Sequence, residues 1–314
     1  MIQLFHIPNH KIDTSNYSHS LHDKRVEELE KKIADYVGAQ YACAVNSATN
    51  AIFLIMRDKR QNVRSRMVVD LPSMIPPVVA NAVLTSGFHN EINFTDDILW
   101  MGDSYILHKF DDYKVVDSAQ KLQKNQFKDE CNDEDLMIFS FYPTKPLSGL
   151  DGGMIVTNDK TKYEYYKSAV LNGTSYSDNN WERDIAFPGF KMYLSSFQAD
   201  IILKNFKNFE KKKRNLKLIR DIYNKELGYA NKSTHLYIIH TKNNQSFLNK
   251  MKENNIICGI HYPALHLNQI YTRGKSFNCP YTEKYSDVVA TLPMNETMSY
   301  LDIEKIIEKV KLYK

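Results

Sequence analysis

Phe139-Ser140-Phe141-Tyr142-Pro143-Thr144-Lys145-Pro146-Leu147, followed by Asp151-Gly152-Gly153 and the apolar run Met154-Ile155-Val156, is the stretch that organises the chain. An aromatic, largely apolar run ends on a single lysine, and a glycine pair follows. A lysine held in such surroundings loses hydration, so its pKa falls and the neutral amine becomes available as a nucleophile. A free amine beside an apolar strand is what a carbonyl compound needs to form a Schiff base. The same residues also describe a surface lysine in a turn made by Pro143 and Pro146. This stretch alone leaves both readings open.

Working outward, Leu136 to Phe141 reads as a strand leading into Lys145, and Met154 to Thr157 as its return. Upstream, Tyr113 to Asp117 is a strand that ends on an acid, with Ser118-Ala119-Gln120 after it. An acid at the C-terminal end of a strand sits where open α/β sheets place their ligands; it is equally an N-cap for the next segment. Tyr41 to Val45 is a short apolar strand, and Asn46-Ser47-Ala48-Thr49 turns it into a helix carrying Ala51, Ile52, Leu54 and Ile55. Small and hydroxyl residues at a helix start expose backbone N–H groups that suit a phosphate, and they are also ordinary capping residues. Val26, Leu29, Ile33 and Val37 mark an earlier helix stopped by Gly38. Met67 to Pro72 is a strand, Ser73 to Pro77 a loop, and Pro76-Pro77 starts a helix that Gly87 ends. Within 88–113, Ile98 to Met101 and Tyr105 to Leu107 are each short-strand candidates.

The alternation over 41–157 predicts an α/β layered domain, with a mostly parallel sheet flanked by helices. Residues 160–186 read as a polar loop containing Trp181. A long helical pattern from Ser195 through Ile202, Phe206, Phe209, Leu216, Ile219 and Tyr223 leads out of that domain. The tail reads as a smaller α+β unit: a strand at Leu236 to Ile239, a helix at Phe247 to Glu253, an apolar run at Ile256 to Ile260, and a helix from Asp302 to Leu312. The expected division is 1–208, a large domain with an N-terminal arm, and 209–314, a small one.

Composition limits the function classes. A chain of 314 residues has room for about two domains. Its net charge of +4 is mild, and basic and acidic residues are interspersed, which argues against nucleic acid or a membrane surface as partner. The run Lys211-Lys212-Lys213-Arg214 reads as a solvated helix face. The four cysteines form no CxxC pair, so neither a disulfide framework nor a metal site is expected. The N-terminus lacks the pattern of a signal peptide, and no apolar run approaches the roughly 18 residues of a membrane span. The expected compartment is the cytoplasm.

Taken together and in order, the motifs resemble the DegT/StrS-type sugar aminotransferases, which are fold type I pyridoxal 5'-phosphate (PLP) enzymes. The matching stretches are Val45 to Thr49, Val116 to Gln120, Phe139 to Gly153, Gly189-Phe190 with Ser195 to Ala199, Gly259 to Leu267, and Thr291-Leu292-Pro293-Met294. The specific part is the pair Asp117-x-Ala119-Gln120 and Ser140-Phe141-x-x-Thr144-Lys145. The resemblance implies that Lys145 forms the Schiff base with PLP and moves the substrate proton. It implies that Asp117 pairs with the pyridine nitrogen, that Gln120 donates to the ring hydroxyl oxygen, and that Ser140 with Ala48 and Thr49 holds the phosphate. It further implies an amino-acid donor, usually glutamate, and a nucleotide-linked keto-sugar acceptor. It implies a homodimer in which residues around 187–194 reach into the partner's site.

The chain also departs from that pattern. Ala48 stands where a glycine is usual. Met74, Ile75 and Pro76 occupy the loop that usually carries a ring stacked on the cofactor. Lys191 and Tyr193 replace an Asn and an Arg, so Lys191 is the expected cross-subunit phosphate contact. His261, His266 and Tyr142 are the candidate substrate contacts, although each histidine also fits a buried hydrogen-bonding role. Dehydratase relatives replace the lysine with histidine, against which Lys145 argues. A sensory or scaffolding homologue is the remaining alternative.

Overall fold

A computed structural model describes residues 1–13, 15–18, 22–62, 67–88, 91–97, 101–175 and 184–314. The expected strand at Ile98 to Met101 and Trp181 fall wholly or largely outside them. The strands are β1 (Tyr41–Val45), β2 (Val69–Pro72), β3 (Ile92–Thr95), β4 (Tyr105–Lys109), β5 (Lys114–Asp117), β6 (Leu136–Ser140), β7 (Gly153–Thr157), β8 (Tyr237–His240) and β9 (Val289–Leu292). The central sheet has five strands in the order β1-β7-β6-β5-β4, while β2 pairs with β3 and β8 with β9.

The class is α/β, but the central sheet is mixed rather than mostly parallel. Within it β5 and β6 run parallel, whereas β1–β7, β6–β7 and β4–β5 are antiparallel. The reason is connection. A parallel return needs a crossover, and β6 instead reaches β7 through the loop 141–152, while β4 reaches β5 through a turn closed by Phe110 N–H to Tyr113 O at 2.8 Å. The apolar runs of β6 and β7 report burial on both faces and leave direction open.

Alternation sorts the strands between two cores. Cys43, Val45, Leu136, Ile138, Val115 and Ile155 face a core shared with helix Ala48–Asn62 and helix Pro77–Thr85. Ala42, Ala44, Met137, Phe139, Val116, Met154 and Val156 face a second core that includes Leu29, Ile33 and Val37 of helix Arg25–Val37 and Ile202 of helix Ser196–Lys207. A third core joins Leu216, Ile219 and Tyr223 of helix Phe209–Leu227 to β8, β9 and Ile303, Ile306 and Val310 of the last helix, Tyr300–Tyr313.

The long helical pattern is therefore two helices broken at Asn208; Phe209 just after the break still packs in the second core, and Leu216, Ile219 and Tyr223 further along in the third. Packing crosses the expected division after residue 208 at several points, among them Met74, which is buried with Leu236, Ile238 and Val289. Ile2 bridges to Ile256 and packs on the third core, so the start of the N-terminal arm lies with the C-terminal unit, whereas the Tyr17 hydroxyl donates to Asp200 of helix Ser196–Lys207. Leu265 and Cys279 sit in the first core. The region expected to be a loop after 160 contains helix Lys160–Ala169, capped by Asp159 and burying Tyr166 and Ala169. No helix among the described residues is long and apolar enough to cross a membrane.

Candidate active site

One edge of the central sheet gathers the expected site. Val45 pairs with Gly153, Gly153 with Ser140, and Tyr105 with Asp117, so the ends of β1, β6 and β5 and the starts of β7 and β4 lie side by side. Above this edge is a cavity of about 450 Å³, lined among others by Ala48, Thr49, Asp117, Gln120, Ser140 and Lys145. That volume is within the usual range for small-molecule sites, roughly 300–1,000 Å³.

Each side chain has a local cause. Ser47 Oγ accepts the Asn50 N–H at 3.1 Å and caps helix Ala48–Asn62, whose first turn opens onto the cavity. The first-turn amides have no intrahelical partner and carry the positive end of the helix dipole. Gly153 lets β7 approach that start closely, since a Cβ there would lie 2.5 Å from Ala48 N. Lys145 follows a tight turn in which its N–H donates to Tyr142 O at 2.9 Å. The turn exists as the surface reading supposed, yet the side chain lines the cavity. Desolvation holds the Lys145 ammonium below the usual lysine range, and the Asp117 charge opposes that shift.

Asp117 is buried, and burial pushes its carboxyl above the usual range. Its Oδ1 accepts the Ala119 N–H at 2.9 Å and its Oδ2 the Tyr105 hydroxyl at 3.0 Å. Gln120 Oε1 accepts the Gly102 N–H at 2.8 Å, and Nε2 donates to the Tyr262 hydroxyl at 3.3 Å. His261 lines the cavity with Nδ1 at 2.9 Å from Thr291 Oγ1, and burial followed by the Lys145 charge pushes its pKa down to about 4.

Other expected residues lie elsewhere. Tyr142 is at the rim and 51% exposed. His266 does not line the cavity: its Nδ1 meets Ser73 Oγ at 2.5 Å and its Nε2 meets Glu283 at 3.2 Å, so it ties the 73–77 loop to helix Pro280–Ser286. That is the buried, hydrogen-bonded alternative for this histidine. Lys191 is exposed, bridges to Leu171, and is not among the residues lining its own chain's cavity. In the 73–77 loop Met74 and Ile75 are fully buried in separate cores, and Pro76 with Val78 and Val79 faces the cavity instead.

Sequence reasoning missed Tyr105, Asp103 and Tyr262. Tyr262 adjoins His261 in a quoted motif, which was signal enough to include it. Nothing local marks Tyr105, because its role comes from the antiparallel register with Asp117. Among the described residues no group of three or more His, Cys, Asp or Glu is placed to hold a metal.

The profile of the DegT/DnrJ/EryC1/StrS aminotransferase family matches residues 11–90 and 114–311. The chain belongs to this family. The spore coat polysaccharide biosynthesis protein SpsC of Bacillus subtilis is 23% identical, over 91% of this chain and 89% of its own length. A UDP-4-amino-4,6-dideoxy-N-acetyl-beta-L-altrosamine transaminase of Campylobacter jejuni is 23% identical, over 69% of this chain and 68% of its own. A Streptococcus pneumoniae chain solved in its PLP form superposes with a TM-score of 0.81 at 18% identity, covering 100% of both chains, a likeness that shows the fold. PLP is the cofactor of this aminotransferase family, and the donor set fits it. A helix start and the Ser140 hydroxyl suit a phosphate, a buried carboxylate suits a protonated pyridine, an oriented amide suits the ring hydroxyl oxygen, and a desolvated amine suits an aldehyde.

Proposed function

We infer that the chain moves an amino group from an amino acid, glutamate by expectation, to a keto group of a nucleotide-linked sugar. The observation that carries this reading is the convergence of Lys145, Asp117 and the Ala48–Thr49 helix start on one cavity. The transaminase name of the Campylobacter relative supports the acceptor class.

Bound PLP supplies an aldehyde that links to amines and a protonated ring that draws electrons from the reacting carbon. Lys145 Nζ is the amine that holds that aldehyde carbon. Desolvation raises its neutral fraction, so once released it would take the proton from the substrate carbon bearing nitrogen and return it to the carbon on the far side of that nitrogen. Asp117 would set its negative charge against the ring nitrogen. Gln120 Nε2 would donate to the ring hydroxyl oxygen, while Ala48, Thr49 and Ser140 would hold the phosphate. Pro76 and Val79 give an apolar cover where an aromatic ring is usual. Lys191 serves the site of a second copy in a homodimer, in keeping with its being exposed and not lining its own chain's cavity.

The test is optical. The purified protein should show a visible absorbance band that glutamate removes and a keto-sugar restores, screened across 3-keto and 4-keto nucleotide sugars. Lys145→Ala should lack the band's lysine-dependent form and lose more than about 10³-fold in turnover. A colourless protein, or a band that no amino donor changes, overturns the reading.

A further inference from the structure

The family profile matches on both sides of residues 91–113 but leaves that stretch out. Two of the contacts that aim the site originate inside it. Tyr105 opens β4 opposite Asp117 and donates its hydroxyl to Oδ2 at 3.0 Å. Gly102 donates its N–H to Gln120 Oε1 at 2.8 Å.

We propose that residues 102–105 are the positioning element of the cofactor site, with the Tyr105 hydroxyl holding Asp117 as an aimed carboxylate and the Gly102 N–H deciding which end of Gln120 faces the cofactor. This rests on the reading of Asp117 and Lys145 as PLP-binding residues. A buried carboxyl tends to neutralise, and donors to its charged form oppose that. Ala119 N–H and the Tyr105 hydroxyl supply two such donors on different oxygens. Burial raises the Tyr105 phenol well above its ordinary range, so it stays protonated and donates. For Gln120 the logic is geometric. With Oε1 taken by Gly102, the donor end Nε2 is left toward Tyr262 and the cavity.

The element is itself braced. Gly102 has φ +78°, and a Cβ there would lie 2.5 Å from Ser233 Oγ, so only glycine fits the approach. Ser233 Oγ in turn accepts the His235 and Leu236 N–H groups at 2.9 and 3.1 Å, just before β8. The charged and titratable groups that face Asp117 are Lys145 from the turn after β6, Tyr105 from β4 and Tyr262 beside His261. Asp103 and His261 lie further round the same wall.

The experiment uses the full chain stripped of cofactor and titrated with PLP across pH, as wild type and as Tyr105→Phe, Asp117→Asn and the double variant. The phenyl ring keeps the packing and loses only the hydroxyl. Tyr105→Phe should weaken PLP binding about tenfold at neutral pH. The acid-side loss of affinity should move to higher pH, because removing a donor to the charged form lets Asp117 protonate more readily. With PLP labelled at the pyridine nitrogen, the ¹⁵N shift should move toward unprotonated pyridine. In the Asp117→Asn background the tenfold effect should disappear. Wild-type affinity, pH midpoint and ¹⁵N shift in Tyr105→Phe, or an undiminished effect in the Asp117→Asn background, would mean the phenol only fills space and would overturn the proposal. A wild-type chain that binds no PLP would instead overturn the functional reading, and this proposal with it.

Discussion

At the scale of single residues, the site sets burial against charge. Desolvation drives Lys145 and Asp117 toward their neutral forms, and each one's charge steadies the other's. His261 feels the same Lys145 charge without an opposing carboxylate, and its pKa falls to about 4. Linkage turns that shift into a pH-dependent stability. Between about pH 4 and 6.5 the unfolded chain binds a proton at this histidine that the folded chain refuses. Stability contributed by His261 is therefore intact above pH 6.5 and is lost on acidification through that window, by up to about 3 kcal/mol. His235, which stacks on Phe5 and is also pushed down by burial, adds in the same direction. Urea midpoints measured from pH 7 down to pH 4.5 should fall more steeply for wild type than for His261→Gln. Identical slopes would mean that His261 is solvated enough to titrate normally in the fold.

At the scale of elements, the phosphate end of the site depends on how closely β7 approaches the first turn of helix Ala48–Asn62. Gly153 and Gly149 make a matched pair for testing this. A Cβ at Gly153 would press on backbone, with Ala48 N at 2.5 Å and Ser47 C at 2.6 Å, whereas one at Gly149 would press on the Ile202 side chain at 2.6 Å. Both alanine variants should lose about 1–3 kcal/mol by overpacking. Only Gly153→Ala should also weaken PLP binding, by roughly tenfold, because only it moves the amides that would face the phosphate. Equal PLP affinity in the two variants would separate the cradle from this contact. The same stretch shows what the sequence made legible. β1, the turn at Ser47 and the following helix were readable because strand period, cap and helix period are local properties. Strand direction was not, since β6 and β7 differ from parallel strands only in the loop that joins them. Helix Lys160–Ala169 was hidden because its inward face is tyrosine and alanine among lysines. At the site, Asp117 and Lys145 were legible from their motifs, whereas Tyr105 was not, because only the β4–β5 register gives it a partner. His266 followed a motif, and in the fold it bonds to Ser73 and Glu283, partners that only the structure can reveal.

At the scale of the whole molecule, the segment expected to complete a second copy's site does not line this chain's own cavity. Asn46 N–H donates to Met192 O at 2.8 Å and Val45 bridges to Tyr193, so 192–193 is fastened to the end of β1. Lys191, one residue earlier, is exposed and outside its own cavity. A fastened backbone next to an exposed cation that does not line its own chain's cavity is compatible with delivery to a second copy across a two-fold axis, where each chain gives what it receives. Complementation tests this directly. Lys145→Ala lacks the amine, and Lys191→Ala lacks the cross-subunit cation, so each homodimer should be impaired on its own. In an equal mixture assembled together, half the dimers are mixed. Each mixed dimer pairs the intact Lys145 of one chain with the intact Lys191 of the other at one of its two sites. Activity should recover to about a quarter of the native level. If Lys191 acts within its own chain, every mixed site carries one defect or the other, and no recovery above the sum of the two variants will appear.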